Sequence, residues 1–229
     1  MTGVLGFLDT EKLLSIVLSV IPALLCITFH ELSHGFVALK LGDTTARDMG
    51  RLTLNPIKHI DIFGLVMMVA FGFGWAKPVP VDMRNFKNPK RGMAVTALAG
   101  PVSNILLAAV FFALYGVAAA FAPASSGSAF DVILQMVART AMLSVALAVF
   151  NIIPIPPLDG SKVLFALLPD RAYSKLMRVE RYGFIILMVV IYTNILDSTI
   201  GAATMWTADR LSPITHWVYT LLTKLTGRF

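Results

Sequence analysis

Six stretches of this chain carry no Asp, Glu, Lys or Arg: 13–29, 62–76, 93–130, 140–158, 182–196 and 211–223. A helix needs about 20 mostly apolar residues to cross the hydrocarbon of a bilayer. Spacing of this kind along 229 residues, 57% of them hydrophobic and 14% charged, excludes an ordinary soluble domain. It points to a polytopic membrane protein forming one membrane-embedded domain over 1–229. The run 62–76 is short for a crossing and rich in glycine.

Charge orients the segments. Of the 19 Lys and Arg residues, 14 fall in three groups: Lys40, Arg47, Arg51 and Lys58; Lys77, Arg84, Lys87, Lys90 and Arg91; Lys162, Arg171, Lys175, Arg178 and Arg181. The connection 122–128 has none. The positive-inside rule puts the three groups in the cytoplasm and 122–128 outside. The net charge of +6 therefore suits lipid headgroups and not nucleic acid. The N-terminus "MTGVLGFLDTEK" lacks the basic start and cleavage site of a signal peptide, so the first apolar segment is expected to be retained. Cys26 is the single cysteine, which excludes an intramolecular disulfide and thiol-rich metal sites.

With 40–58 and 77–91 both cytoplasmic, the segment between them cannot make one crossing. Residues 60–81 are expected as a re-entrant element, tolerated where protein covers its backbone groups, with a short tilted crossing helix as the alternative. Gly72, Gly74, Pro78 and Pro80 favour a bend and an extended strand there. The expected fold is an all-α polytopic membrane protein. It is a bundle of about five to six transmembrane helices with a re-entrant β-hairpin-like element after the first helix. Helices are expected over 13–41, 93–121, 130–153, 180–197 and 211–225, the last being able to lie on the surface instead.

Inside the first apolar segment stands His30-Glu31-Leu32-Ser33-His34. Two histidines four apart share one helix face and reach a single metal ion, with the intervening glutamate beside its open position. Ionisable groups cost about 2.5–3.5 kcal/mol each at mid-membrane, so a cluster of them marks a cavity or site. Zinc accepts two imidazoles and a carboxylate and keeps a fourth position for water, whose pKa falls to about 7. Among Asp61, Asp131, Asp159 and Asp197, Asp159 is the strongest third ligand. It follows "FNIIPIPPLDG", where Pro154, Pro156 and Pro157 stop the third helix at its cytoplasmic end and impose an extended chain. Asn151 on the same segment can donate to a substrate carbonyl or oxyanion, or serve helix packing.

Other marked residues are read structurally. Gly100-Pro101-Val102-Ser103-Asn104 permits close helix approach, with Asn104 able to face the site. His59 is expected at the cytoplasmic interface, and His216 and Trp217 at an interface too. Arg139 is expected to face the bundle interior or to snorkel.

HELSH, then AGPVSN, then FNIIPIPPLDG, in that order, resemble the site-2 protease family of intramembrane zinc metalloproteases. "GRLTLNPIKHID" and "GWAKPVPV" look like its compact bacterial and archaeal branch. The resemblance covers about 25–165. It implies one Zn2+ held by His30, His34 and Asp159, with Glu31 as general base and Asn151 near the reacting carbonyl. It also implies a strand element at 60–81 that holds an unwound transmembrane protein substrate. Unlike larger members, the chain has no room for a PDZ module between its second and third helices. The competing reading is a divalent-metal transporter or metal-binding membrane protein; a transporter should show paired repeats, and the sequence has none.

Overall fold

A computed structural model describes residues 10–71, 74–122 and 129–227. Three long helices dominate: α1 (Thr10–Lys40), α4 (Pro89–Ala120) and α5 (Ala129–Asn151). They are the helices among the described residues that are each long and apolar enough to cross a membrane. Between α1 and α4 lie α2 (Thr45–Asp48) and α3 (Ile62–Phe71). After α5 come α6 (Asp159–Leu167), α7 (Asp170–Val179), α8 (Gly183–Tyr192), α9 (Asp197–Leu211) and α10 (Pro213–Thr226). The molecule is an all-α membrane protein.

Helix α4 begins at Pro89, before the uncharged run starts at 93, for a local reason. The Asn88 side chain accepts the Arg91 backbone N–H at 3.1 Å, and Pro89 takes the first helical position, where its missing N–H costs nothing. Helix α4 then packs against α1, α5, α6 and α10. Small side chains make this possible: Ala97, Gly100 and Ala108 on α4, and Ala141, Ser144 and Ala148 on α5, are all buried. Polar groups inside this packing find partners across helices. Ser144 Oγ donates to the Asn104 carbonyl at 2.8 Å, and the Cys26 thiol contacts the Thr140 carbonyl at 3.6 Å.

The segment 60–81 differs from the expected hairpin of strands. Its first limb, Ile62–Phe71, is helical, and among the described residues the strand character is one isolated antiparallel bridge between Ile60 and Ala76. An unbroken apolar run in lipid must satisfy its N–H and C=O groups internally, and only a helix does that within one limb. Ten residues rise about 15 Å, half the hydrocarbon thickness. The bridge, with the Lys77 N–H on the His59 carbonyl at 2.9 Å, brings the chain back beside its point of departure. Gly72 lies outside the described residues. From Gly74 to Asp82 the backbone runs without helix, as the glycine and prolines predict.

Two further expectations change. Residues 180–197 do not form one helix: α8 ends at Tyr192, the chain turns through Asn194 at φ 52°, and α9 starts at Asp197. Helix α9 was hidden by its mixed composition, with Asp197, Asp209 and Arg210 among apolar residues. The runs 170–192 and 197–226 meet at 88°, so among the described residues they add a fourth candidate span only as one broken pair. The proline-rich stretch after α5 stops the helix, but 152–158 folds into turns and not an extended chain. The Leu158 N–H bonds the Ile155 carbonyl at 2.9 Å.

Candidate metal centre

Helical spacing puts His30 and His34 on one face of α1, with ring centroids 4.6 Å apart and planes at 88°. Their Nε2 atoms are 3.0 Å apart. Asp159, in the first turn of α6, places Oδ2 3.1 Å from each Nε2. Three buried side chains from parts of the chain far apart in sequence thus aim one atom each at a common point. The Lys162 ammonium stands 3.9 Å from the other Asp159 oxygen.

Two glycines let these elements approach. A Cβ on Gly100 of α4 would lie 2.4 Å from His30 Cε1 and 2.6 Å from His34 Cε1. A Cβ on Gly160 would lie 2.0 Å from the Ile152 carbonyl oxygen. Helix α4 therefore rides directly over both imidazoles, and α6 starts hard against the chain leaving α5.

The donor set fits a tetrahedral cation. His34 Nδ1–H donates to the Thr96 carbonyl at 2.7 Å, which leaves Nε2 with its lone pair turned inward. Asp159 Oδ2 is buried and meets no donor in hydrogen-bonding geometry, so an electron-rich atom lacks a partner at the convergence point. Ligands at about 2.0–2.1 Å from a tetrahedral zinc stand about 3.3–3.4 Å apart, within a few tenths of the separations here.

Glu31 also offers a ligand atom, within 4.8 Å of those of His30 and His34. Its Oε2, however, accepts the Val79 N–H at 2.8 Å. Asp159 is the nearer carboxylate to both imidazoles, and Glu31 stands beside the tripod. Both line a cavity of about 880 Å³, counting the space at its mouth, which Asn151, Lys162 and Glu180 also border. Asn151 ends α5 and its Nδ2 donates to the Leu147 carbonyl at 3.0 Å.

The other aspartates weighed as ligands are elsewhere. Asp61 accepts the Gly64 N–H at 2.9 Å at the start of α3, Asp131 lies in the first turn of α5, and Asp197 opens α9. His59 is 2% exposed and donates from Nε2 to the Thr53 carbonyl at 2.9 Å, so it is a brace buried within the fold. Arg139 is exposed on α5, so it does not face the bundle interior. His216 and Trp217 are exposed on α10.

Thr96 was missed, and Gly100 and Asn104 were read mainly as packing residues. They recur every four residues, so they form one small and polar stripe on α4, and that stripe faces the imidazoles. A polar stripe at helical spacing in an uncharged helix was the available signal.

The signature of peptidase family M50 matches residues 116–193, a span that holds Asn151 and Asp159. Putative zinc metalloprotease YwhC of Bacillus subtilis is 39% identical over 187 residues, covering 82% of this chain and 83% of that protein. Putative zinc metalloprotease Rip2 of Mycolicibacterium smegmatis is 30% identical over 190 residues, covering 81% and 71%. Putative zinc metalloprotease MJ0611 of Methanocaldococcus jannaschii is 34% identical over 138 residues, covering 59% and 63%. No solved structure matches. The chain belongs to peptidase family M50, the site-2 proteases, and is a metalloendopeptidase.

Proposed function

We propose that this chain hydrolyses a peptide bond within or near a transmembrane segment of another protein, with one Zn2+ held by His30, His34 and Asp159. The observation that carries the reading is the convergence of Asp159 Oδ2 on both imidazole nitrogens at 3.1 Å. Zinc in that tripod supplies Lewis-acid polarisation of a carbonyl and water acidified to a pKa of about 7.

The chain's own groups do the rest. Glu31, beside the tripod, takes a proton from the attacking water and passes it to the leaving amine. Asn151 keeps one amide N–H for the Leu147 carbonyl and turns the other toward the reacting carbonyl oxygen, where negative charge develops. A peptide bond inside a helix has its groups paired, so the substrate must unwind locally. The non-helical backbone of 74–82, beside Glu31, supports a role in pairing with an unwound segment. Residues 60–81 act as a re-entrant element in this reading, and the whole chain as one membrane-embedded protease domain.

The side of the membrane follows from charge. His34 lies six residues before the end of α1 at Lys40, with Arg47 and Arg51 just beyond. The positive-inside rule then places the site toward the cytoplasm, in the cytoplasmic membrane.

The test uses purified chain and a single-span reporter protein. Cleavage is expected to stop on chelation and return with zinc. Glu31→Gln should keep its zinc and lose cleavage by about 10²–10⁴-fold. His34→Ala and Asp159→Ala should lose the metal. Undiminished cleavage by Glu31→Gln overturns the mechanism.

A further inference from the structure

The two imidazoles are supported differently on their outer sides, and the difference assigns a task to Asn104. His34 is held by a backbone carbonyl, that of Thr96, which can only accept. That fixes the proton on Nδ1. His30 Nδ1 instead faces the amide of Asn104, with Nδ2 at 3.3 Å. An amide can present either end.

As it stands, the amide nitrogen faces Nδ1, while Asn104 Oδ1 is buried without a donor. An N–H donated to Nδ1 occupies that lone pair and leaves the ring proton on Nε2. A protonated Nε2 cannot bind a cation. Half a turn of the amide exchanges atoms of nearly equal size, so that Oδ1 accepts Nδ1–H and Nε2 turns a lone pair inward. Oδ1 has no donor in the present orientation, so the demand of the ring decides which end of the amide faces it.

We infer that Asn104 is a positioning residue for the metal centre: its Oδ1 accepts Nδ1–H of His30, fixes the binding tautomer and orients the ring. The inference rests on the metal reading above. Three observations converge on it. Asn104 is 0% exposed, its backbone carbonyl is tied to Ser144 Oγ at 2.8 Å, and Gly100, one turn earlier, brings α4 into contact with both rings. Thr96 and Asn104 flank that glycine on one helix face, so a single stripe of α4 sets both histidines. Supports of this kind are worth about 10–100-fold in metal affinity.

The test is a zinc titration of the full chain against a competing chelator, with 15N-histidine spectra of the zinc-loaded protein. Asn104→Leu keeps the volume and removes the acceptor; its affinity should fall about 10–100-fold. Asn104→Asp keeps an acceptor and should stay within about threefold of the original chain. In the Asn104→Leu spectrum the His30 Nδ1–H resonance should shift or exchange away. The His34 Nδ1–H resonance, held by Thr96, should stay put and serves as the internal control for folding. Asn104→Leu binding as tightly as the original overturns the inference, as does Asn104→Asp binding as weakly as Asn104→Leu, or both resonances moving together. If the original chain holds no zinc, the metal centre itself fails and takes this inference with it.

Discussion

Two connecting segments border the candidate site, and they are held in place by different physics. Residues 77–82 lie against Glu31 and are pinned by side chains from α1 and the loop after it. Arg51 donates to the Lys77 carbonyl, the Val79 N–H donates to Glu31, and the Asp82 N–H donates to Asp43, each at 2.8 Å. Residues 152–158 deliver Asp159 and are held by proline, by turns within themselves and by close backbone contact at Gly160 and Gly183. The segment next to the proposed base is thus fastened by charges, each removable one at a time. The segment that delivers the proposed ligand is fastened by shape. A ligand must be placed to within a few tenths of an ångström, and packed backbone meets that demand where hydrogen-bonded side chains allow adjustment.

The largest expected effect is on the shape-held side. Gly160→Ala puts a Cβ 2.0 Å from the Ile152 carbonyl oxygen and 2.7 Å from that of Ile153. Both contacts are backbone, so nothing flexible can yield. We expect a loss of at least about 3 kcal/mol of stability together with loss of bound zinc. Metal content and thermal melting in detergent check this. If Gly160→Ala folds and binds zinc normally, the division between the two segments collapses.

Next comes Asp43→Ala on the charge-held side. Asp43 is 0% exposed and accepts from the Thr45 N–H, the Asp82 N–H and Asn85 Nδ2. Removing it leaves buried donors without an acceptor, at about 2–4 kcal/mol. Zinc should nonetheless stay bound, because α6 is untouched. Loss of zinc comparable to that of Gly160→Ala would show that the two segments are not separable. Acidity probes the same residue. Burial pushes the Asp43 carboxyl up, but the donors of Thr45, Asn85 and Asp82 outweigh it and hold it below its ordinary 3.8. A depressed carboxyl stabilises the fold above its ordinary value, and that stability is lost as pH falls through the lower, folded value. Acid melting of the original chain should therefore steepen below pH 3.8, and Asp43→Asn should remove that part of the curve.

The contrast explains what could be read from sequence. His30 and His34 were legible because helical spacing alone fixes their common face. Asp159 was legible because three prolines and a glycine around a carboxylate at membrane depth need a reason. The turns of 152–158 were not, since proline forbids a helix without choosing between an extended and a turned chain. The first limb of 60–81 was misread because Gly72, Gly74, Pro78 and Pro80 were allowed to speak for the apolar run before them. The brace that His59 makes was not legible, because its partner, the Thr53 carbonyl, is a backbone group no side-chain pattern announces. Asn104 was within reach, since Gly100 and Asn104 share a face. Which helix that face meets is a tertiary fact.

A smaller effect is expected at Arg51. Its Nη2 donates to the Lys77 carbonyl, and the residue is 9% exposed. Arg51→Met keeps most of the packing volume and should cost about 1–2 kcal/mol. Hydrogen exchange should rise at Lys77 and Val79 and stay unchanged at Leu158 and Ser161. Equal rises in both places would mean the segments are mechanically one.

The smallest effect should come from the exposed end of the same segment, and it sets the limit of fastening by charge. Arg84 donates from Nη2 to Asp82 Oδ2 at 2.6 Å and from Nε to Oδ1 at 2.9 Å. Its guanidinium, with its own backbone N–H on Oδ1, holds the Asp82 carboxyl down to about 2. Both groups face solvent, where ion pairs are screened and add little to stability. Arg84→Ala should return the Asp82 titration part of the way toward 3.8, leaving the backbone contribution in place. Melting temperature, zinc content and cleavage should not move. A clear drop in any of them would place Arg84 among the fastenings of this segment, and would extend charge-held control from buried Asp43 out to the surface.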